Sequence, residues 1–269
     1  MRLWIVSLLF YCFIFVLCEI LRIIARKCFE TRDRKGNIHL ALTVANEFIG
    51  TVQICAPMFD VNFVLENYGL HGVLFEIAFI EVANAFLLRD AVADPCPLFH
   101  GVLKGKRSLG KFATLLGVQF VAAYFSFLVA RTFWRMGLHP QHIEMWQNEE
   151  CSADLTVTIL YGSLVEAIGL ISSKIAEKFF ERRLLSSNQT TFACALTSGL
   201  ITVLGIHLTG MYANPIVAWA CTFNCGEVSH VSHFVVYWLA PFGAYTLTDL
   251  LLKDECESET VKKSDKKLD

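Results

Sequence analysis

"TGMYANPIVAWACTF", Thr209 to Phe223, is the stretch whose reading decides the fold. It is almost wholly apolar, yet Asn214-Pro215 breaks it in the middle. Proline inside a helix removes a hydrogen bond and clashes with the turn before it, but it suits the first helical position. A helix is therefore expected to start at Pro215 with Asn214 as its cap. The run from there to Phe223 is far too short to cross a bilayer, which takes about 20 residues. A short half-helix that enters and leaves the membrane on one side meets both constraints.

The rest of the chain supplies the membrane. Its 269 residues are 55% hydrophobic and only 18% charged, with 22 Phe, and the mean hydropathy is +0.50. That composition marks a polytopic membrane protein. A net charge of −2 offers no field for nucleic acid. Ten cysteines are scattered through apolar runs as small core residues, with no paired CxxC block and no HExxH, so neither a metal nor a cofactor is expected. An enzyme is remote, because no nucleophile elbow or Gly-rich phosphate loop is present.

Hydropathy places spans at 3–25, 40–61, 72–88, 109–133, 155–175, 191–212 and 231–252, with Glu76 and Glu81 interrupting the third. Both glutamates are expected to line the aqueous side. The first apolar run exceeds a signal peptide's and lacks a small-residue cleavage site, so it reads as a retained span. Lys and Arg set the orientation. Segments 22–36, 104–111, 174–183 and 253–269 hold 19 of the 23 basic residues, while 60–73, 136–154 and 213–229 hold none. With the N-terminus outside, all four basic segments become cytoplasmic, provided that 94–104 and 214–226 are both re-entrant.

A repeat agrees. "NEFIG" at 46–50 is echoed by "VEAIG" at 165–169, and "DPC" at 94–96 by "NPI" at 214–216, at offsets of 119 and 120. Each half then holds three spans and a half-span, and an odd number of crossings inverts the second half. Pro-interrupted short segments in matching positions of inverted halves point to a site at the bilayer midplane. Two half-helices meeting there N-terminus to N-terminus would place positive dipole ends at the centre. The paired mid-span glutamates Glu47 and Glu166 need partners; a proton-relay pair is the rival reading.

These motifs resemble the aquaporin family, in particular its divergent subcellular (unorthodox) branch. "TGMYANPIVAW" resembles the second NPA box, "YWLAP" at 237–241 the YW-x-x-P of the last span, and "EFIGTVQ" at 47–53 the first-span motif. Asp94-Pro95-Cys96 matches the branch's NPC-like first box in Pro and Cys but not in Asn. The resemblance covers about residues 38–252. It implies an all-α membrane protein, an inverted repeat of six spanning helices plus two re-entrant half-helices, with an extra N-terminal transmembrane helix. The divisions would be 1–37 (N-terminal helix and basic loop), 38–136 and 137–252 (the two repeats) and 253–269 (cytoplasmic tail). It further implies a homotetramer with a pore in each subunit, passing water or small neutral solutes such as glycerol or hydrogen peroxide. The alternative is a poorly conducting relative with a structural or interaction role.

Carried onto this sequence, the box residues are Asp94, Pro95, Cys96, Asn214, Pro215 and Ile216. The family's buried structural carboxylates fall on Glu47 and Glu166. The selectivity filter falls on Leu74, Thr202, Met211 and Val217, with Val217 where the family usually has Arg. Losing that Arg removes a fixed charge, five donors and bulk, so a wider, less polar constriction is expected. His207 near the same wall is a packing or a pore residue. Cys225 lies where the branch also has a Cys; Cys151, Cys221 and Cys225 all map outside the cytoplasm, where any two could form a disulfide. The terminal Lys266-Lys267-Leu268-Asp269 fits the dilysine retrieval pattern of endoplasmic reticulum membrane proteins, which works only on a cytoplasmic terminus; the plasma membrane is the alternative location.

Overall fold

The structure, a computed structural model, describes residues 1–30, 38–147, 151–183 and 186–265. Among them the chain is all helical. The helices are α1 (Leu3–Glu30), α2 (Ile38–Met58), α3 (Val61–Leu87), α4 (Pro95–Leu103), α5 (Leu109–Trp134), α6 (Pro140–Gln147), α7 (Ile159–Arg183), α8 (Ser187–Thr209) and α9 (Pro215–Thr222). The last span is compound: α10 (His230–Phe234), a π-turn over Val235–Leu239, and α11 (Ala240–Asp265). Seven of these segments are long and apolar enough to cross a membrane, and α4 and α9 are not. This is an aquaporin-like membrane fold with an additional N-terminal helix.

The packing follows the inverted repeat. α2 lies along α5, its second-half counterpart α7 lies along α11, and α3 faces its own counterpart α8. Small residues make the last contact close. A Cβ on Gly199 of α8 would sit 2.6 Å from the Leu74 carbonyl oxygen of α3, and one on Gly50 of α2 would sit 2.3 Å from Ala91 Cβ. Without a hydrophobic driving force between helices in lipid, such backbone approach is a main source of association. Gly199→Val should therefore force α3 and α8 apart and cost about 1–3 kcal/mol. Thermal aggregation of the detergent-solubilised protein should begin several degrees lower, and an unchanged onset would deny the contact its importance.

The third span differs from the hydropathy reading. Its helix begins at Val61, eleven residues earlier than 72, and Gly69 kinks it at φ 63°, ψ −163°. A left-handed φ is inexpensive only for glycine. The polar first part is held from outside by α6: Asn67 Nδ2 donates to Gln141 Oε1 at 2.8 Å, and Gln141 Nε2 donates to Glu66 Oε2 at 3.0 Å. Tertiary hydrogen bonds thus build a helix where hydropathy alone sees a loop.

α1 is anchored by the largest apolar cluster. Phe10, Ile14 and Cys18 are fully buried against Ile49, Val52, Ile80 and Phe133, and the Phe10 and Phe133 rings lie 4.7 Å apart. It is also tied at its start and past its middle. The N-terminal ammonium donates to the Leu138 carbonyl, and Glu19 pairs with Arg89 just after α3.

Candidate pore centre

The two boxes adopt matching backbones. Asp94 (φ −147°, ψ 124°) and Asn214 (φ −132°, ψ 113°) are both extended N-caps with proline next. Asp94 Oδ1 accepts from Cys96 N at 2.8 Å, and Asn214 Oδ1 accepts from Ile216 N at 3.0 Å. Each cap is preceded by an alanine in the left-handed region, Ala93 and Ala213, both at φ 50°. An unusual conformation repeated at the same offset of 120 places the two half-helices in equivalent settings.

Each strained loop is held by its buried glutamate. Glu47, 2% exposed, accepts from Ala93 N at 2.8 Å and Gln119 Nε2 at 2.6 Å on one oxygen, and from Val92 N at 3.0 Å on the other. Glu166, fully buried, accepts from Thr209 Oγ1 at 2.6 Å, Tyr212 N at 3.2 Å and Ala213 N at 2.7 Å. All four carboxylate oxygens are thereby engaged by donors. Tyr237, of the "YWLAP" run, completes the second loop by donating to the Thr209 carbonyl at 2.8 Å. The boxes then join directly: Asn214 Nδ2 donates to the Ala93 carbonyl at 3.0 Å. The mirror bond, from residue 94 to the Ala213 carbonyl, needs an amide hydrogen that a carboxylate lacks.

The full chain resembles known proteins over most of its length. It is 26% identical to aquaporin-11 of Milnesium tardigradum over 236 residues, which is 88% of this chain and 82% of that one. It is 27% identical to the putative aquaporin-10 of Caenorhabditis elegans over 248 residues, 88% and 84% of the two chains. With human aquaporin-11 the identity is 27% over 202 residues, 72% of each chain. No family model matches the chain. It is related to the unorthodox aquaporins. The relationship points to a membrane channel rather than an enzyme, in a multi-pass membrane protein.

The four filter positions carried over from the aquaporins have different surroundings. Thr202 lines a cavity of about 590 Å³ together with Met58, Ile206, Tyr212 and Trp219. Leu74 instead packs on Gly199, in the α3–α8 contact. Met211 is buried in a niche that two glycines leave open: a Cβ on Gly169 would lie 1.4 Å from its Cε, and one on Gly205 would lie 2.5 Å from its Sδ. Val217 is buried beside Cys55, Ala123 and Ile216. His207 is exposed and lines neither this cavity nor the one described next.

A second cavity of about 580 Å³ lies among α3, α7 and α8. Glu81, Lys174, Glu177 and the hydroxyls of α8 line it. Glu81 thus faces a polar space. Glu76 does not: it is buried against the Tyr11 hydroxyl of α1, which corrects the expectation that both glutamates line the aqueous side. A residue outside the family core supplies that partner, so no aquaporin motif could reveal it.

A disulfide borders the 590 Å³ cavity. Cys151 and Cys225 form a disulfide, while Cys221 stays free, which resolves the choice among the three. The bond ties the loop before α7 to the segment after α9. In that loop the Asp154 carboxyl accepts from Tyr212 Oη at 2.5 Å, and its backbone N donates to Thr222 Oγ1 at 3.0 Å. Burial pushes the Asp154 pKa upward, against the hydrogen bonds from Tyr212, Thr222 and Asn62 that pull it down.

Gln119, Tyr237 and the glycine niche around Met211 all escaped the sequence reading. Only Tyr237 left a signal, through its motif; a buried Gln or a Gly in an apolar helix looks like any other. Among the described residues no group of three or more His, Cys, Asp or Glu could hold a metal.

Proposed function

We propose that the chain is a passive channel for water and small neutral solutes, glycerol or hydrogen peroxide among them. The observation that carries this reading is the meeting of α4 and α9 at capped N-termini, bridged by Asn214. Facing positive helix ends resist cations while leaving neutral molecules free to pass. Asp94, Pro95, Cys96, Asn214, Pro215 and Ile216 form the midpoint in this reading. Thr202, which lines the 590 Å³ cavity, supports a passage there, and the sequence expectation of Val217 in place of Arg favours solutes larger than water. Stopped-flow measurement on proteoliposomes, comparing water, glycerol and peroxide, tests it. Flux of none of the three above that of protein-free liposomes would overturn it.

A second reading has its own support. Asp94 places a carboxylate at a point where a channel benefits from an amide donor, which favours a poorly conducting relative kept for an interaction. In either case the assembly proposed is a homotetramer, and the division at 1–37, 38–136, 137–252 and 253–269 follows the repeat.

The location proposed is the endoplasmic reticulum membrane, with a cytoplasmic C-terminus. Support comes from the clustering of basic residues at one end of the spans and from Lys266 and Lys267, which lie outside the described residues. Replacing Lys266 and Lys267 by Ser should shift most of the protein from the reticulum to the cell surface, read by surface biotinylation. Unchanged retention would remove the retrieval signal without touching the channel reading.

A further inference from the structure

The outward faces of α1 and α3 enclose a groove of about 530 Å³ that none of the described residues fills. Trp4, Leu8, Tyr68, Phe75 and Phe79 line it and are all exposed in the single chain, where lipid can reach them. The lining is mostly apolar, with an exposed His71 and the Tyr11 and Tyr68 hydroxyls, and two further polar side chains lie buried within it: Ser7, 3% exposed, and Glu76, 8% exposed. One Glu76 oxygen accepts from Tyr11, whose hydroxyl also reaches Asp60, itself held by His142 at 3.1 Å. The other Glu76 oxygen and the Ser7 hydroxyl have no hydrogen-bond partner. A buried polar atom without a partner costs about 1–3 kcal/mol, and hydrocarbon offers no water to relieve it.

From this we propose that the groove binds a sterol, its ring system against the aromatic wall and its hydroxyl on Glu76 and Ser7. A hydroxyl can donate to one group and accept from the other, which neither an acyl chain nor an ester can do. Depth agrees. Ser7 lies four residues into α1, about 6 Å along the axis, beside an exposed Trp4 of the kind that marks the interface. A lipid hydroxyl resides at that level, and the space lies within the usual range of ligand cavities, about 300–1,000 Å³. The flat, rigid shape favours a sterol over diacylglycerol, because less conformational freedom is lost on binding.

The test is photolabelling of the full-length protein in nanodiscs with a diazirine-bearing cholesterol, followed by peptide mapping. Label should concentrate in the segments around Ser7 and Glu76. Cholesterol should compete, and its 3-O-methyl ether and diacylglycerol should not. The double variant Ser7→Ala with Glu76→Leu should lose about fivefold of the labelling, the size expected for one or two neutral hydrogen bonds. Ser7→Ala alone, checked as monodisperse with the Cys151–Cys225 bond intact, should lose about twofold, so a folding defect at position 76 does not decide the matter. Label spread evenly over α5, α7 and α8, equal competition by the methyl ether or by diacylglycerol, or full labelling of the double variant would each overturn the sterol site. None of these outcomes depends on whether the pore conducts.

Discussion

Asp94→Asn should raise water flux through the reconstituted protein by a factor of about 5, the rate equivalent of roughly 1 kcal/mol at the midpoint barrier. The reasoning starts from an asymmetry between two otherwise matched caps. Asn214 uses its oxygen to cap α9 and its amide nitrogen to reach the Ala93 carbonyl. Asp94 caps α4 equally well, because Asp is among the best N-caps, but has nothing to give to the Ala213 carbonyl. An asparagine there keeps the cap, restores the mirror bond and adds a donor that can orient passing water. With the carboxylate ionised, the change also removes a negative charge that offsets the positive ends of the two half-helices. Cation leak, read as conductance of the same proteoliposomes or of planar bilayers, should therefore fall in Asp94→Asn while water flux rises. Equal flux with equal ion exclusion in both forms would reduce Asp94 to a helix cap. Two silent forms, beside a conducting reference aquaporin, would move the balance to the interaction reading.

Glu166→Ala should be the most damaging single change in the site. It removes the acceptor for Thr209 Oγ1, Tyr212 N and Ala213 N at once, all buried or half-buried. Each orphaned donor costs about 1–3 kcal/mol, so the variant should lose upward of 3 kcal/mol and fail to elute as a monodisperse species. Glu166→Gln keeps the shape and one oxygen, so it should fold with a smaller loss. The alanine variant's loop from Thr209 to Asn214 would no longer be pinned, and flux should vanish with it. A proton-relay role predicts the opposite ranking, since Gln cannot carry a proton and would abolish activity without harming stability. Equal thermal stability of wild type and Glu166→Ala would refute the anchoring role outright.

The elements that were legible in the sequence are those whose cause is local. Asn214-Pro215 and Asp94-Pro95 start helices because a cap and a fixed proline φ act within two residues of each other. Spans follow from apolar runs, and the distribution of Lys and Arg orders them. The offset repeat then implies inversion by counting crossings alone. Glu47 and Glu166 were visible because a carboxylate within an apolar span demands a partner, although not which one.

What only the tertiary structure decided concerns neighbours distant along the chain. Periodicity tells which face of a helix is apolar, but not what that face meets. Leu74 and Met211 occupy family filter positions in the sequence, yet glycines at 199, 169 and 205 open space beside them and take those side chains into helix contacts. Three cysteines were candidates for one disulfide, and the path of the loops brought Cys151, not Cys221, to Cys225 across a separation of 74 residues. Glu76 looked like a water-facing acid until α1, outside the repeat, brought Tyr11 onto it. Local chemistry decides where helices begin and end; the route of the chain between them decides which side chains share a space.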